Sequence, residues 1–307
     1  MKKVSVAIPT YNGEKWLKEC LESVEKQSFQ NIQLVIVDDG STDETIEMIE
    51  QFKEESDLNI AFEKHESNQG MAETRNHCIR LSDGDYVTIL DQDDIVHEEK
   101  FEKQVEVMEE TGSGVCITQV VDLIEETGEK RERNSIEWEG LSKKEKAKLL
   151  YENYFRHEDG RSGLPLTTEM VRKDIYDKVG LYDTELFGMN DREFMMRALK
   201  ATDIELIDKP LLTRRHHSAN ASSLQERLLE DESKFLEKGL EIWPEFSEAY
   251  KRRKSNAELR KGLFSLKNGD IIGCSKNIVS GFYTSPVGSL GVIKQFMKNQ
   301  FREEDSF

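Results

Sequence analysis

Residues 68–94 read NQGMAETRNHCIRLSDGDYVTILDQDD, a segment that combines a helical pattern, a short apolar run and a group of acids. Apolar side chains recur at helical spacing between residues 71 and 79, and YVTIL at 86–90 is predicted to be a buried strand. This alternation predicts an α/β fold in which a mostly parallel sheet is sandwiched by helices. Ligands bind to such sheets beyond the carboxyl ends of the strands. Further strands are predicted at residues 4–8, 32–37, 58–62 and 115–121, with amphipathic helices between them.

Two acids follow the predicted strand at 32–37. Asp38 and Asp39 lie in VDDGSTD (37–43), where a carboxylate can accept hydrogen bonds from a nucleotide base or from ribose hydroxyls. The alternative is an Asp–Gly turn that leads into a helix, because Ser41 and Glu44 form a capping-box pattern. These residues alone leave both interpretations open.

Three acids follow the predicted strand at 86–90. Asp91, Asp93 and Asp94 lie within LDQDD (90–94). Clustered like charges repel unless a cation compensates them, and oxygen-rich sites suit Mg²⁺ or Mn²⁺. The alternative is a solvated acidic loop before the next helix. Two carboxylate sites on strands of one parallel sheet favour a combined nucleotide and metal site.

A glycine opens the helix that lies between these acidic segments. The helix amides that follow Gly70 can face a phosphate, and Arg75, about one turn later, can add a bidentate contact. The alternative is an exposed arginine on an ordinary capped helix.

The composition limits the classes of partner and compartment. The chain has 307 residues and a formal net charge of −18, so nucleic acid is not an expected partner, since nucleic-acid binding normally needs a basic face. The cysteines show no paired spacing, which is typical of a reducing compartment. No apolar run approaches the roughly 20 residues of a membrane span. We therefore expect a cytoplasmic protein, at most peripheral at the inner face of the membrane.

Five segments in order resemble glycosyltransferase family 2, an inverting family with the GT-A fold. The resemblance covers about residues 4–222 and is carried by VAIPTYNGEKWLKECLESVEKQ (6–27), VIVDDGSTDET (35–45), residues 68–94, VGLYDTELFGMNDREFMMRAL (179–199) and RHHSANAS (215–222). It implies transfer of a sugar from a nucleoside diphosphate sugar, with UDP as the expected nucleotide. The expected acceptor is a glycan or a lipid-linked sugar, and the expected cofactor is Mn²⁺ or Mg²⁺.

The resemblance also implies roles for single residues. Asp191 matches the catalytic base, Asp93 binds the metal, and His217 closes over the metal and the diphosphate. One position departs from the family, which often has an acid directly before the base, where this chain has Asn190. The alternative for Asp191 is a helix N-cap, and for His216 and His217 a pair of surface histidines. The residues expected to bind the nucleotide sugar are Pro9, Tyr11, Asp38, Asp39, Arg75 and Asp91.

The expected organisation is a GT-A domain at residues 1–222 and a helical region at 223–307. Within the first, residues 1–121 are expected to bind the nucleotide sugar and residues 122–222 the acceptor. Residues 122–140 are predicted to be an exposed loop or excursion, and a helical hairpin is predicted at 249–285 with its turn near 268–270. An amphipathic helix at 287–301 either packs on the domain or contacts a membrane surface.

Other functional classes fit the sequence less well. A nucleotidyltransferase acting on sugar phosphates would show a Gly-rich, basic loop near the N-terminus, and PTYNGEKW (9–16) lacks that glycine density. A dinucleotide-binding enzyme would need G-x-G-x-x-G after the first strand, which is absent from residues 9–14. A non-catalytic sugar-binding or scaffolding protein of the same fold would not need its acids at 39, 91, 93 and 191.

Overall fold

Strands that are buried along almost their whole length form the centre of the sheet. VSVAIPT at Val4–Thr10 and IQLVIVD at Ile32–Asp38 show this burial. Continuous burial of apolar residues is typical of strands that are covered by helices on both faces. The computed structural model describes residues 2–132, 138–152, 168–217 and 225–267, together with residues 277 and 280.

The described strands and helices alternate along most of the first 200 residues. The strands are β1 (Val4–Thr10), β2 (Ile32–Asp38), β3 (Asn59–Lys64), β4 (Tyr86–Ile89), β5 (Ile95–Val96), β6 (Val115–Ile124), β7 (Glu129–Glu132), β8 (Met170–Arg172) and β9 (Ile204–His216). The helices are α1 (Leu17–Glu25), α2 (Thr45–Glu55), α3 (Met71–Leu81), α4 (Lys100–Thr111), α5 (Lys143–Glu152), α6 (Lys173–Val179), α7 (Asn190–Ala201), α8 (Gln225–Ile242) and α9 (Ser247–Lys267).

The part of the chain that the structure describes forms one sheet in the order β3-β2-β1-β4-β8-β6-β9-β5, with β7 paired to β6. Strands β3, β2, β1 and β4 are parallel, whereas β8 runs antiparallel to both β4 and β6. The predicted α/β fold is therefore confirmed, and the sheet becomes mixed beyond β4. The parallel part brings the carboxyl ends of β1, β2 and β4 to one edge, where the predicted site residues lie.

The predicted capping box was wrong. Helix α2 begins at Thr45 after Glu44 without a side-chain cap, so the capping box does not form; the Ser41 hydroxyl instead donates to Asp38. Of the two alternatives for residues 122–140, the described part at 122–132 fits an excursion, because β6 continues to Ile124 and pairs with β7 as an antiparallel hairpin. All four side chains of β7 are exposed, so backbone pairing forms this strand without any apolar pattern.

The chain divides into two compact units, Met1–Asn220 and Ala221–Phe307. In the second unit, α8 and α9 bury Phe235, Leu236 and Leu259, and the fully buried Glu232 pairs with Arg253 and Arg260. The predicted turn at 268–270 and the predicted helix at 287–301 lie outside the described residues. No helix among those described has the length and apolar character needed to cross a membrane.

Candidate functional site

The two acids at the end of β2 have different partners. Both carboxylate oxygens of Asp38 are taken by the turn: Oδ2 accepts from the Gly40 and Ser41 amides at 3.1 and 2.8 Å, and Oδ1 accepts from the Thr10 and Ser41 hydroxyls. Asp38 is also fully buried. The Asp38 side chain thus holds the turn and the end of β1 together, and its role in binding the nucleotide stays a prediction.

Asp39 points away from its own turn, towards the loop that precedes α3. Its Oδ1 accepts from the Gln69 amide at 2.7 Å and contacts His65 Nδ1 at 2.8 Å, and its Oδ2 accepts from the Gly70 amide at 2.9 Å. Gly70 has a φ of +92°, a conformation that suits glycine and turns its amide towards the carboxylate. Asp39 thus joins the end of β2 to the start of α3.

The end of β1 is connected to the acidic segment after β4 by Gln92. Its Oε1 accepts from the Tyr11 amide and its Nε2 donates to the Tyr11 carbonyl, both at 2.9 Å. Tyr11 is 45% exposed beside this connection, and Pro9 is paired in register with Val37. Gln92 was not predicted from the sequence, because the middle position of Asp91-Gln92-Asp93 shows no chemical role until the folded chain brings the ends of β1 and β4 together.

Arg75 is buried between two groups of the site. Its Nη2 donates to Asp91 Oδ1 at 2.9 Å and its Nη1 donates to Asn190 Oδ1 at 3.0 Å. Burial alone would lower the pKa of this guanidinium, but Asp91 leads the anionic groups that more than offset it and raise the pKa. Arg75 therefore stays charged and joins α3 to the acidic segment and to the start of α7.

The position before the predicted base also gains a role. Asn190 is buried, and its amide donates to the Leu186 and Phe187 carbonyls while its oxygen accepts from Arg75. A neutral side chain suits this position, because it both donates and accepts in a buried setting.

Asp191 lies in the first turn of α7 and is half-buried. The helix N-cap is Met189, and the Asp191 carboxylate accepts from the Arg192 amide at 2.7 Å. The structure thus excludes the alternative in which Asp191 is the N-cap. Its charge acts on both Arg75 and Glu169, so it lies near the group formed by Arg75 and Asp91.

The acidic segment meets the end of β9. His217 Nε2 contacts Asp93 Oδ2 at 2.8 Å, and the His217 ring stacks on Trp16 with centroids 3.7 Å apart and planes at 16°. Asp94 Oδ1 accepts from the Arg215 amide at 3.0 Å. The other histidine, His216, lies 2.8 Å from Asp122 instead. Of the two histidines, His217 is therefore the one that the structure brings to Asp93.

Electrostatics make this segment receptive to a cation. Burial first, and then the charge of Asp91, raise the pKa of the Asp93 carboxyl, although His217 opposes the rise. Burial and the charges of Asp93 and Asp91 raise the pKa of Asp94 in the same way. Asp94 Oδ2 is also buried without a hydrogen-bond partner. A nearby divalent cation would lower these pKa values and relieve the repulsion.

The residues present fit an ion that a substrate helps to bind. Within the described ranges, no group of three or more His, Cys, Asp or Glu side chains is arranged to hold a metal by itself. Mg²⁺ usually binds through one or two carboxylates and completes its shell with substrate phosphates and water. Asp93 and His217 therefore fit as the protein ligands of such an ion.

A buried acid that was not predicted from the sequence interacts electrostatically with Arg75. Glu169 is 3% exposed, and its Oε1 accepts from the Tyr182 hydroxyl at 2.7 Å. Burial raises the pKa of Glu169 to about 7. It lies directly before the short strand β8, and no motif in the sequence marks it.

Comparison with known proteins places this chain in a family. The chain matches Glycosyl transferase family 2 over residues 5–165. It is 37% identical over 125 residues to the glycosyltransferase GlyG of Streptococcus pneumoniae, and the match covers 41% of each chain. It is 34% identical over 120 residues to the poly(ribitol-phosphate) β-N-acetylglucosaminyltransferase TarS of Staphylococcus aureus, which covers 38% of this chain and 21% of TarS. The chain thus matches less than half the length of either relative.

Solved structures extend the likeness of the fold. TarS residues 1–349 in complex with UDP-GlcNAc superpose with a TM-score of 0.61 at 19% identity, over 91% of both chains. The mannosyltransferase PcManGT of Pyrobaculum calidifontis, in complex with GDP-Man and Mn²⁺, also gives 0.61, at 13% identity, over 98% of this chain and 81% of that one. Because the family match covers more than half of the sequence, the chain belongs to glycosyl transferase family 2, and its fold is GT-A.

Proposed function

We propose that this protein transfers a sugar from a nucleoside diphosphate sugar to a hydroxyl group of an acceptor, with inversion at the anomeric carbon. The observation that carries the proposal is that Arg75 joins Asp91, which follows β4, to Asn190, the neighbour of Asp191 at the start of α7. Asp39 follows β2 and Asp93 follows β4 in the same parallel part of the sheet. Family membership supports the same activity. UDP is the proposed nucleotide, in keeping with the UDP-GlcNAc bound by TarS.

The donor is proposed to lie across the ends of β1, β2 and β4. Asp39 accepts from the base, and Tyr11 and Pro9 flank it. Asp91 faces the ribose and is held for that purpose by Arg75, 2.9 Å away. Arg75 also brings positive charge towards a donor that carries at least two negative charges.

Asp93 and His217 are the proposed ligands of Mn²⁺ or Mg²⁺. When bound, the ion offsets the negative charge that grows on the leaving diphosphate. The stacking of His217 on Trp16 fixes the plane of the imidazole ring before any ligand binds. The protein therefore supplies a preset direction for one nitrogen ligand.

Asp191 is the proposed general base. An acceptor hydroxyl attacks the anomeric carbon while its proton passes to the Asp191 carboxylate, and the bond to the diphosphate oxygen breaks. One oxygen of Asp191 accepts from the Arg192 amide, which keeps the carboxylate oriented and leaves the other oxygen to take the proton. A single displacement of this kind inverts the anomeric configuration.

The acceptor is proposed to be a glycan or a lipid-linked sugar, bound by the half of the first unit that follows residue 121. A non-catalytic binding protein of the same fold is the main alternative. It differs from the enzyme in one measurable respect, because it would bind a nucleotide sugar without releasing the nucleotide.

The experiment measures UDP released from a panel of UDP-sugars with Mn²⁺ and with EDTA. We expect metal-dependent release in the wild type and its loss in Asp93→Asn, which keeps the side-chain shape and removes the charge. Asp85→Asn is the matched control, because Asp85 lies at the opposite end of β4 and binds the Lys3 amide. Full release by Asp93→Asn, or by the wild type in EDTA, would contradict the proposal.

A further inference from the structure

Behind Asp39 lies a chain of four side chains that no step above uses. Asp39 Oδ1 is 2.8 Å from His65 Nδ1, His65 Nε2 is 2.9 Å from His77 Nδ1, and His77 Nε2 is 3.0 Å from Glu63 Oε2. The two imidazole rings are stacked nearly parallel, with centroids 5.1 Å apart and an angle of 9°. The exposure of the side chains rises along the chain from 5% at Asp39 to 52% at Glu63.

Hydrogen-bond chemistry fixes where the protons of this chain lie. An ionised carboxylate only accepts, so His65 Nδ1 must carry the proton that faces Asp39, and His77 Nε2 the one that faces Glu63. The contact between the two rings needs one proton more, on either nitrogen. In both arrangements His65 presents the same donor to Asp39. The Asp39 carboxylate thus fixes the proton on His65 Nδ1, and the contact with His77 holds the His65 ring in place.

The acceptor capacity of Asp39 is then nearly exhausted. A carboxylate offers about four acceptor positions. On Oδ1 the Gln69 amide and His65 fill two, and on Oδ2 the Gly70 amide fills a third. One position remains, on Oδ2. Only 5% of the Asp39 side chain is exposed, so a ligand has little room to displace these partners.

Nucleotide bases differ in the number of donors that they offer to such a group. Uracil presents one N–H, at N3, between two carbonyl oxygens. Guanine presents two adjacent donors, N1–H and the N2 amino group, which together match both oxygens of a free carboxylate. We propose that His65, held by His77, leaves Asp39 with one acceptor position and thereby selects uracil over guanine. The inference rests on the proposed role of Asp39 in binding the base.

The test compares the dissociation constants of UDP and GDP by calorimetry in the presence of Mn²⁺. We expect the wild type to prefer UDP by about tenfold or more, since an unpaired donor next to a saturated acceptor is strongly disfavoured. In His65→Leu the second position on Oδ1 becomes available, and the preference should fall to about threefold or less. His97→Leu is the control, because it removes a partly buried histidine whose ring contacts Thr213 and none of the four side chains behind Asp39.

A purely structural role for His65 gives a different result. Loss of packing would weaken the binding of UDP and GDP equally and leave the ratio of their dissociation constants unchanged. That result would overturn the inference, whereas UDP binding by the wild type would still support the proposed function. If the wild type binds neither nucleotide, the inference and the proposed function are both overturned. The ring nitrogen resonances of the free protein give a second reading. A protonated Nδ1 on His65 is expected, and an unprotonated one would also overturn the inference.

Discussion

At the scale of single residues, Asp38 and Asp39 illustrate how adjacent acids acquire different tasks. Asp38 accepts from the turn around it and from Thr10 at the end of β1, whereas Asp39 accepts from a loop about 30 residues further along the chain. A substitution of Asp39 is therefore also a change to that loop. Asp39→Asn keeps the size of the side chain but turns one acceptor into a donor.

We predict that Asp39→Asn raises the dissociation constant of UDP by about ten- to a hundredfold, which is the effect of losing a hydrogen bond to a charged group. We also expect a lower melting temperature, because the new amide faces the backbone amides of Gln69 and Gly70. Calorimetry with UDP measures the first effect. An unchanged dissociation constant would mean that Asp39 only holds the loop.

Glu169 gives a prediction about stability and pH. Its pKa of about 7 lies above the ordinary value of 4.5, so the folded protein binds this proton more tightly than the unfolded chain does. The resulting stabilisation is complete below about pH 4.5 and is lost as the pH rises through about 7, with a total of about 3 kcal/mol.

Glu169→Gln stays neutral at every pH and can still accept from Tyr182. We therefore expect the free energies of unfolding of variant and wild type to be similar at pH 5, and the variant to be the more stable at pH 8. Urea denaturation at several pH values measures the difference. Parallel stability curves for the two proteins would show that Glu169 does not carry a proton in the folded state.

At the scale of elements, the buried strands were predictable and the exposed ones were not. Strands β1 and β2 are mostly apolar because they are buried along almost their whole length, and this apolar pattern predicts them from the sequence. Strand β7 has only charged side chains, so nothing in EKRE distinguishes it from a loop. The start of α2 was mispredicted because the carboxylate of Asp38, three residues before Ser41, accepts from the Ser41 hydroxyl.

The site shows the same division between local and distant information. The acids at the ends of β2 and β4 could be found because each follows an apolar strand directly. Gln92 and Asn190 could not be assigned, since their partners Tyr11 and Arg75 lie 81 and 115 residues away. Glu169 and His65 owe their significance to burial and to side chains that only the folded chain brings near them.

The turn before β4 gives a prediction for an element. A Cβ at Gly84 would lie 2.7 Å from the Ser5 amide nitrogen and 2.9 Å from the Lys3 carbonyl oxygen, both parts of the backbone near the start of β1. We expect Gly84→Ala to destabilise the protein by about 1–3 kcal/mol, the usual cost of overpacking.

Gly112 offers the matched control. It ends α4 with a φ of +71°, and a Cβ there would meet nothing within 4 Å. Gly112→Asn should be nearly neutral, because asparagine tolerates this left-handed conformation. Urea denaturation compares the two variants, and equal stability of Gly84→Ala and the wild type would contradict the packing of this turn against β1.

At the scale of the whole molecule, the net charge of the protein has the same sign as the charge of the proposed donor. A net charge of −18 repels an anionic nucleotide sugar at long range. Affinity must therefore come from local groups, and the described site contains Arg75 and Arg215 beside its acids. A bound divalent cation adds to this local positive charge.

The role of Asp191 as the base of an inverting transfer is tested most directly by measuring sugar transfer by Asp191→Asn together with the configuration of the product. We predict that the rate of transfer falls by about 10²–10⁴, the usual contribution of a general base, while UDP affinity and melting temperature stay close to those of the wild type. The wild type should give a β-linked product from an α-linked donor. Retained turnover in Asp191→Asn would contradict the role of Asp191 as the base, and a product with the configuration of the donor would contradict an inverting mechanism.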